Sequence, residues 1–192
     1  MSDRKELGFI FGFLKRGKNN SARVAAVIVA AGKSSRMNGE NKQLIDILGK
    51  PVLAYTLLAF QNAYVIDDIY IIARNEDILI VSDIIKEYDI TKARSVLPGG
   101  DTRMCSVKVG LDAVENGDYI AIHDGARPCI LPEDINKVVS AAFKSGAAAV
   151  GCPVCDTLKK VDDELFVSGT VDRQGIWQIQ TPQVFKKDLI RE

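Results

Sequence analysis

Residues Val27–Met37 have the sequence VIVAAGKSSRM, and this stretch decides the fold class. It continues a run of β-branched residues and alanine that begins at Val24, which is typical of a strand buried on both faces of a parallel sheet. The strand ends in small residues, which let a ligand approach the main-chain N–H groups. Arg36, and Lys42 just beyond it, add charges that suit a polyphosphate. The pattern matches neither the dinucleotide nor the P-loop fingerprint, so it predicts another kind of phosphate-binding turn, the alternative being a plain turn with surface cations.

The composition is that of one globular domain without an extreme of charge. The chain has 192 residues, of which 47% are hydrophobic and 26% charged, with a net charge of zero. This balance argues against broad nucleic-acid binding, and no apolar run is long enough to span a membrane. Four cysteines in a chain of this size favour a reducing cytoplasm over a disulfide framework. Cys152 and Cys155 have CxxC spacing, but no second pair accompanies them, so we interpret them as buried structural thiols.

Apolar strands alternate with helical stripes along the chain. The predicted strands after the first are Ile69–Ala73, Ala93–Leu97, Tyr119–Ile122 and Ala147–Pro153. Pro51 and Pro132 stand where helices would start. Strand–helix alternation of this kind indicates βαβ units. The sequence therefore predicts an α/β fold, Rossmann-like, with a mostly parallel sheet and helices on both faces.

A second glycine-bearing loop, Pro98–Arg103, leads from a strand into a helix that Thr102 or Asp101 would cap. Loops that follow parallel strands share one sheet edge, so this loop should face the first one. Its backbone, with Asp101 or Ser106, would then hold a nucleotide base. A plain capped turn is an equal alternative.

The strand that begins at Tyr119 ends in His123-Asp124-Gly125-Ala126-Arg127. Acids at the carboxyl ends of parallel strands lie in the ligand crevice, so Asp124 would hold Mg²⁺ directly or through water. Arg127 would bind a second anionic group. The alternative is a strand-end salt bridge between them, and His123 is interpreted as an oriented histidine rather than a catalyst.

Both ends of the chain depart from this regular alternation. Residues 1–22 form a basic extension, which we expect to be flexible; a weak interfacial helix or a partner-docking arm is the alternative. Residues 23–192 form the single domain. Thr157–Val161 and Leu165–Thr170 alternate apolar and polar residues, which predicts a projecting β-hairpin arm over about 154–180 and hence a homodimer. A last helix begins near Lys186.

Five segments together resemble the 2-C-methyl-D-erythritol 4-phosphate cytidylyltransferase family of the non-mevalonate isoprenoid pathway. They are AAGKSSRM with Lys42, GGDTRMCS, HDGARPC, PVCDTLKK and TVDRQGIWQIQTPQ, in order from about Val24 to Phe185. Ribitol 5-phosphate cytidylyltransferases are the second family that the chain resembles. They rank lower because they usually have glycine where Ala31 stands and depart from the last two segments. Members of the first family continue beyond the position of Glu192, so the resemblance implies a missing C-terminal segment. A non-catalytic fragment that binds nucleotide or dimerises is therefore a further alternative.

The resemblance implies a role for each matching residue. The family transfers CMP from CTP to methylerythritol phosphate and releases pyrophosphate, with Mg²⁺ as cofactor and an active site shared across a homodimer. Arg36 and Lys42 would grip the triphosphate and stabilise the transition state, and Asp124 and Arg127 would lie near the metal and the sugar phosphate. The nucleoside contacts implied are Ala30, Ala31, Gly32, Gly100, Asp101 and Ser106, and those to the neighbour's sugar phosphate are Thr157 and Arg173.

Overall fold

The computed structural model describes the backbone of residues 8–11 and 191, and residues 22–32 and 41–190 with their side chains. Its main element is a seven-stranded sheet in the order β1-β8-β11-β7-β2-β5-β6. The strands of this sheet are β1 Gly8–Phe11, β2 Val24–Ala30, β5 Asp68–Ala73, β6 Ala93–Pro98, β7 Tyr119–Asp124, β8 Ala147–Pro153 and β11 Trp177–Lys186. Two small hairpins accompany it, β3 Asp46–Ile47 with β4 Lys50–Pro51, and β9 Leu158–Val161 with β10 Val167–Val171.

Helices cover both faces of the sheet. They are α1 Val52–Asn62, α2 Ile78–Glu87, α3 Arg103–Ala113, α4 Pro132–Ser145 and α5 Lys187–Arg191. The central strand β2 shows why the sheet is sandwiched, because all of its residues are buried. Its alternate residues Val24, Ala26, Ile28 and Ala30 pack into the core beneath α1, α2 and α4, whereas Ala25, Val27 and Val29 pack into the core beneath α3. The predicted α/β class with helices on both faces is confirmed.

Most strands of the sheet point the same way. β2 pairs in parallel with β5 and β7, and β5 pairs in parallel with β6. β11 lies antiparallel between β7 and β8, so β8 again runs in the direction of β7. The carboxyl ends of β2, β5, β6 and β7 therefore meet at one edge, and the loops that follow them form the candidate site.

Strand β11 was not predicted from the sequence, from which we expected the hairpin arm to extend to about residue 180 and a helix to begin near Lys186. Its sequence does alternate apolar with polar residues, but Pro182 interrupts the alternation and argues against a central strand. The structure accommodates Pro182 where the pairing with β8 shifts register, between Ile179 and Gln183. A β-irregularity is the setting in which a central strand tolerates proline.

Part of the N-terminal extension also differs from expectation. Gly8–Phe11 was expected to be flexible or weakly helical, but it pairs antiparallel with Phe11 opposite Ala148 and Gly8 opposite Gly151 of β8. A short apolar segment is well suited to cover a sheet edge that would otherwise present unpaired backbone groups. Residues 1–7 and 12–21 lie outside the described residues.

The predicted hairpin arm is present, with narrower bounds. β9 and β10 pair antiparallel from Leu158 to Val171, and Trp177 already belongs to β11 in the main sheet. Most of the arm is exposed, including Val161, Phe166 and Val167. Exposed apolar side chains grouped in this way are typical of a surface that binds another protein.

Asp68 anchors the opposite, amino-terminal edge of the sheet. Its side chain is buried and accepts hydrogen bonds from Arg23, 2.8 Å away, and from Arg94. Burial by itself would raise the pKa of Asp68, but the two guanidinium groups outweigh it and lower that pKa. This cluster joins the starts of β2, β5 and β6, at the edge of the sheet opposite to the candidate site.

Candidate active site

A cleft of about 570 Å³ lies at the carboxyl edge, between the loops that follow β2, β6 and β7. Three basic side chains, Lys42, Arg103 and Arg127, and two acidic ones, Asp101 and Asp124, are among its walls. The remaining lining residues are Val29, Ala31, Gly32, Gln43, Gly100, Thr102, Ser106 and Ala126. Its size suits a nucleotide-sized ligand, and its positive side chains suit an anionic one.

The two glycine-bearing loops touch each other at the floor of the cleft. A Cβ atom added to Gly99 would lie 2.3 Å from the Cβ of Ala31 and 2.8 Å from the Oγ of Ser106, so only glycine allows this approach. The buried Ser106 hydroxyl accepts from the Gly100 N–H at 3.2 Å, and its own proton reaches the Gly100 or Thr102 carbonyl. Thr102 caps α3 by accepting from the Cys105 N–H, as the sequence predicted.

Asp124, at the end of β7, is held between two arginines. Its Oδ1 accepts from Arg103 Nη2 at 2.9 Å, and its Oδ2 accepts from Arg127 Nε at 3.0 Å. Partial burial would raise the pKa of Asp124, but the hydrogen bonds and charges of both arginines lower it, so the group is ionised at neutral pH. The salt bridge with Arg127, considered from the sequence as the alternative, is thus present, and both partners still line the cleft.

Lys42 enters the cleft from a tight turn that follows residues 33–40. The Leu44 N–H donates to the Asn41 carbonyl at 2.9 Å, and the Gln43 N–H donates to Asn41 Oδ1 at 3.1 Å. Gln43 is 3% exposed, and its carbonyl accepts from the Leu53 N–H at the start of α1. Helix α1 therefore fixes one end of the segment that carries Lys42.

His123 lies beneath the cleft and is buried against Phe60. Its Nδ1 lies 3.0 Å from Thr181 Oγ1, which already accepts from the Asp124 N–H at 3.3 Å. A hydrogen bond thus joins the Thr181 hydroxyl to the imidazole, and burial lowers the pKa of His123 to about 4, so the ring is neutral at pH 7. His123 is therefore oriented at the end of its strand, as expected, and its lack of a catalytic role stays a prediction.

Most of the site residues expected from the sequence come together in the cleft. Those that line it are Ala31, Gly32, Lys42, Gly100, Asp101, Ser106, Asp124 and Arg127. Ala30 is buried at the end of β2, directly beneath the first loop. Arg36 belongs to residues 33–40, outside the described residues, so its role stays a prediction.

Thr157 and Arg173 lie elsewhere, at the base of the arm, just before β9 and just after β10. Both are exposed, and Arg173 Nη1 donates to the Cys155 carbonyl. Neither is among the residues that line the cleft of the described chain. Their proposed contact with a neighbouring subunit's substrate is compatible with that placement and is not tested by it.

Among the charged and amide side chains that line the cleft, Arg103 and Gln43 were not singled out from the sequence. Arg103 is the first residue of α3, directly after the glycine loop, and a cation at that position could have been predicted to face an anionic ligand. Gln43 follows Lys42 but carries no charge, so its burial in the cleft wall depends on tertiary packing. Cys152 and Cys155, expected to be buried, are half-buried and exposed respectively, and all four cysteines are free thiols.

The donor atoms of the cleft can be compared with the needs of Mg²⁺. This ion is usually held by one or two carboxylates together with substrate phosphates and water. Within the described ranges, no group of three or more His, Cys, Asp or Glu side chains is placed to hold a metal. Asp124 Oδ1 accepts from both Nε and Nη2 of Arg103, whereas Oδ2 accepts one hydrogen bond, from Arg127 Nε, and keeps a second lone pair. The site therefore fits an ion that arrives with a polyphosphate.

In the part of the chain that the structure describes, no helix is long and apolar enough to cross a membrane.

Comparison with known proteins gives a consistent family assignment. The family model described as 2-C-methyl-D-erythritol 4-phosphate cytidylyltransferase matches residues 24–192. The enzyme of that name from Dehalococcoides mccartyi strain CBDB1 is 41% identical over 170 residues, which cover 88% of this chain and 75% of the relative. The one from Alkaliphilus metalliredigens is 40% identical over 174 residues, 89% of this chain and 72% of the relative.

Solved structures agree with this assignment. The crystal structure of 4-diphosphocytidyl-2C-methyl-D-erythritol synthase from Anaerococcus prevotii superposes with a TM-score of 0.76 at 33% identity, over 88% of this chain and 72% of that one. The Thermus thermophilus cytidylyltransferase gives a TM-score of 0.67 at 28% identity, over 88% and 73% of the two chains. These matches favour methylerythritol phosphate over ribitol phosphate relatives, and this chain belongs to the 2-C-methyl-D-erythritol 4-phosphate cytidylyltransferase family.

Proposed function

We propose that this protein transfers CMP from CTP to 2-C-methyl-D-erythritol 4-phosphate, giving 4-diphosphocytidyl-2-C-methyl-D-erythritol and pyrophosphate. The observation that carries the proposal is the convergence of two glycine-bearing loops with Lys42, Arg103 and Arg127 in one cleft. Bare backbone beside fixed cations is the arrangement that a nucleoside triphosphate requires. Family membership supplies the identity of the two substrates.

The nucleoside would occupy the floor of the cleft, where the loops touch. Main-chain groups of Ala31, Gly32 and Gly100 are accessible there, and the Ser106 hydroxyl holds the second loop in place. Asp101, which also lines the cleft, would accept hydrogen bonds from the ribose hydroxyls. Backbone readout of this kind needs little side-chain chemistry, which explains why small residues dominate the floor.

The acceptor phosphate needs no general base. A phosphate monoester has a second pKa near 6, so its oxygen is an anionic nucleophile at neutral pH. That oxygen attacks the α-phosphorus of CTP, a P–O bond forms, and the bond to the β-phosphate oxygen breaks with its electrons on pyrophosphate. Two contributions to the barrier remain. Preorganised cations reduce the repulsion between the two anions, and the residues that bind both substrates hold the attacking oxygen in line with the α-phosphorus.

Lys42 and Arg36 would stabilise the charge that develops around the α-phosphate and the departing pyrophosphate. Arg127 would bind the incoming sugar phosphate at the end of β7. Mg²⁺, held by Asp124 and the triphosphate, would neutralise further phosphate charge. Asp124 would also keep both arginines oriented toward the cleft.

The arm would complete the site of a second subunit. Phe166, which is 67% exposed, together with Val161 and Val167 offers apolar surface for a symmetric partner. Thr157 and Arg173 at the base of the arm would then reach the partner's methylerythritol phosphate. Free thiols throughout fit action in the reducing cytoplasm.

A pyrophosphate-release assay with four nucleoside triphosphates and two sugar phosphates tests the proposal. We expect release only with CTP and methylerythritol phosphate, and only when Mg²⁺ is present. Release with ribitol 5-phosphate would assign the alternative substrate. Nucleotide binding without release would show that the chain is a non-catalytic binding protein.

A further inference from the structure

The buried carboxylate of Asp77 contacts the segment that carries Lys42. Asp77 is 5% exposed and ends a 3-10 turn, Asn75–Asp77, that follows β5. Arg74 Nε lies 2.6 Å from its Oδ2 and Arg74 Nη2 lies 3.3 Å from its Oδ1. Asn41 Nδ2 donates to the same Oδ2 at 2.6 Å. Arg74 therefore balances the negative charge of the Asp77 carboxylate, and the hydrogen bond from Asn41 Nδ2 fixes the orientation of the Asn41 amide.

Asn41 uses the two ends of its amide for different partners. Its Nδ2 donates to Asp77, while its Oδ1 accepts from the Gln43 N–H at 3.1 Å. Because Asx side chains close local turns in this way, Asn41 links the turn to a neighbouring element. Lys42 lies inside this turn, between the residue that is held by Asp77 and the residue that is held by α1.

We infer that Asp77 is a positioning residue for Lys42 and acts through Asn41. This inference rests on the proposed role of Lys42 in the transfer reaction. The Asn41 amide fixes the backbone from which the lysine side chain reaches the phosphates. Small displacements of a catalytic group reduce turnover strongly, so an element that fixes its backbone has a kinetic effect although it touches no substrate.

Two measurements on the full chain test the inference. Hydrogen exchange of the Gln43 amide should become faster in Asn41→Ala and in Asp77→Ala, because each loses one end of the link. Turnover of Asn41→Ala should fall on the order of tenfold, with little change in the KM for CTP. Asn116→Ala is the matched control, since Asn116 is exposed in the loop before β7, at the opposite sheet edge.

A double-mutant cycle separates positioning from a general structural effect. In a Lys42→Ala background, Asn41→Ala should lower turnover less than about twofold, because the group that Asn41 positions is already absent. The exchanged pair Asn41→Asp with Asp77→Asn keeps the charge and reverses donor and acceptor. It should recover most of the turnover that Asn41→Asp alone loses by placing two carboxylates together.

Each outcome is decisive. An unchanged Gln43 exchange rate, or an equal loss of turnover with and without Lys42, would overturn the inference while the proposed function stands. No pyrophosphate release by the parent chain would contradict the proposed function, and exchange at Gln43 would still decide whether the link holds the turn. If Asn41→Ala or Asp77→Ala fails to fold, the exchanged pair and its single variants provide the comparison.

Discussion

Arg103 Nη2 lies 2.9 Å from Asp124 Oδ1, and this contact joins the first turn of α3 to the end of β7 across the cleft. Both side chains are partly exposed, so the pair contributes little to stability, about 1 kcal/mol or less. Its position suggests another use. Arg103 is held where a polyphosphate would lie, and binding would exchange its carboxylate partner for a phosphate partner.

Arg103→Ala should therefore weaken CTP binding more than it weakens the fold. We expect roughly a tenfold rise in the dissociation constant for CTP, from loss of one charge-assisted contact, and a change in Tm of only a few degrees. Isothermal titration and thermal unfolding measure the two effects. Lys108→Ala, which removes an exposed charge from the same helix, serves as the control. Equal affinity in Arg103→Ala and wild type would exclude Arg103 from the nucleotide site.

Lys42→Ala should reduce turnover by about two to three orders of magnitude, corresponding to about 3–4 kcal/mol of transition-state stabilisation. The fold should persist, because Lys42 is exposed and its turn is held by backbone and Asn41 contacts. Steady-state kinetics beside far-UV circular dichroism tests both statements. Unchanged turnover in a folded variant would remove Lys42 from the mechanism.

Mixing two inactive variants tests the shared site. Lys42→Ala and Arg173→Ala should each be nearly inactive, but a heterodimer of the two contains one site with both wild-type side chains. With random subunit exchange, the mixture should recover about a quarter of the wild-type activity. Continued inactivity of a mixture that demonstrably exchanges subunits would place Arg173 outside the neighbour's site.

His123 should make stability depend on pH between about 4 and 6.5, a window that extends above the ordinary pKa values of carboxyl groups. Its folded pKa of about 4 lies below the ordinary value of 6.5, so the unfolded chain binds more protons between these values. The contribution of His123 to stability is therefore fully present well above pH 6.5 and decreases as the pH falls, by about 2.5 kcal/mol at pH 4.5. The chain has a single histidine. Urea unfolding of wild type and His123→Gln should show this slope only in the wild type.

The Asp68 cluster should behave non-additively. Arg23→Ala or Arg94→Ala alone leaves one guanidinium on Asp68 and should lower the free energy of unfolding only slightly, because each arginine is about half exposed. Removing both arginines leaves a buried carboxylate without a cation and should cost about 3–5 kcal/mol. Denaturant unfolding at pH 7 measures the difference. A double variant no less stable than the sum of the single variants would show that Asp68 is neutralised in another way.

The sequence predicted the parts of the fold that depend on local pattern. The uniformly apolar run Val24–Ala30 predicted a strand covered on both faces, and the glycine loop containing Thr102 predicted a capped helix after it; both are present. Because loops that follow parallel strands share one sheet edge, the sequence also predicted that both loops lie at the same edge. Contact between Ala31 and Gly99 follows the same logic.

Other features depend on contacts that no local pattern encodes. The strand around Pro182 is stabilised by two neighbouring strands, which outweigh the proline signal. The Asp77–Asn41 link joins residues that are far apart in the chain, and neither residue stands out alone. The two-arginine grip on Asp124 likewise requires that α3 and β7 be placed side by side.

The missing side chain of Gly99 has a practical consequence. The Ala31 methyl group already occupies the space in which a side chain at position 99 would lie, so adding a methyl group there would push the two loops apart. This displacement would widen the nucleoside floor while the Asp68 cluster at the far edge stayed intact. Gly99→Ala is therefore expected to weaken nucleotide binding more than it lowers the stability of the fold.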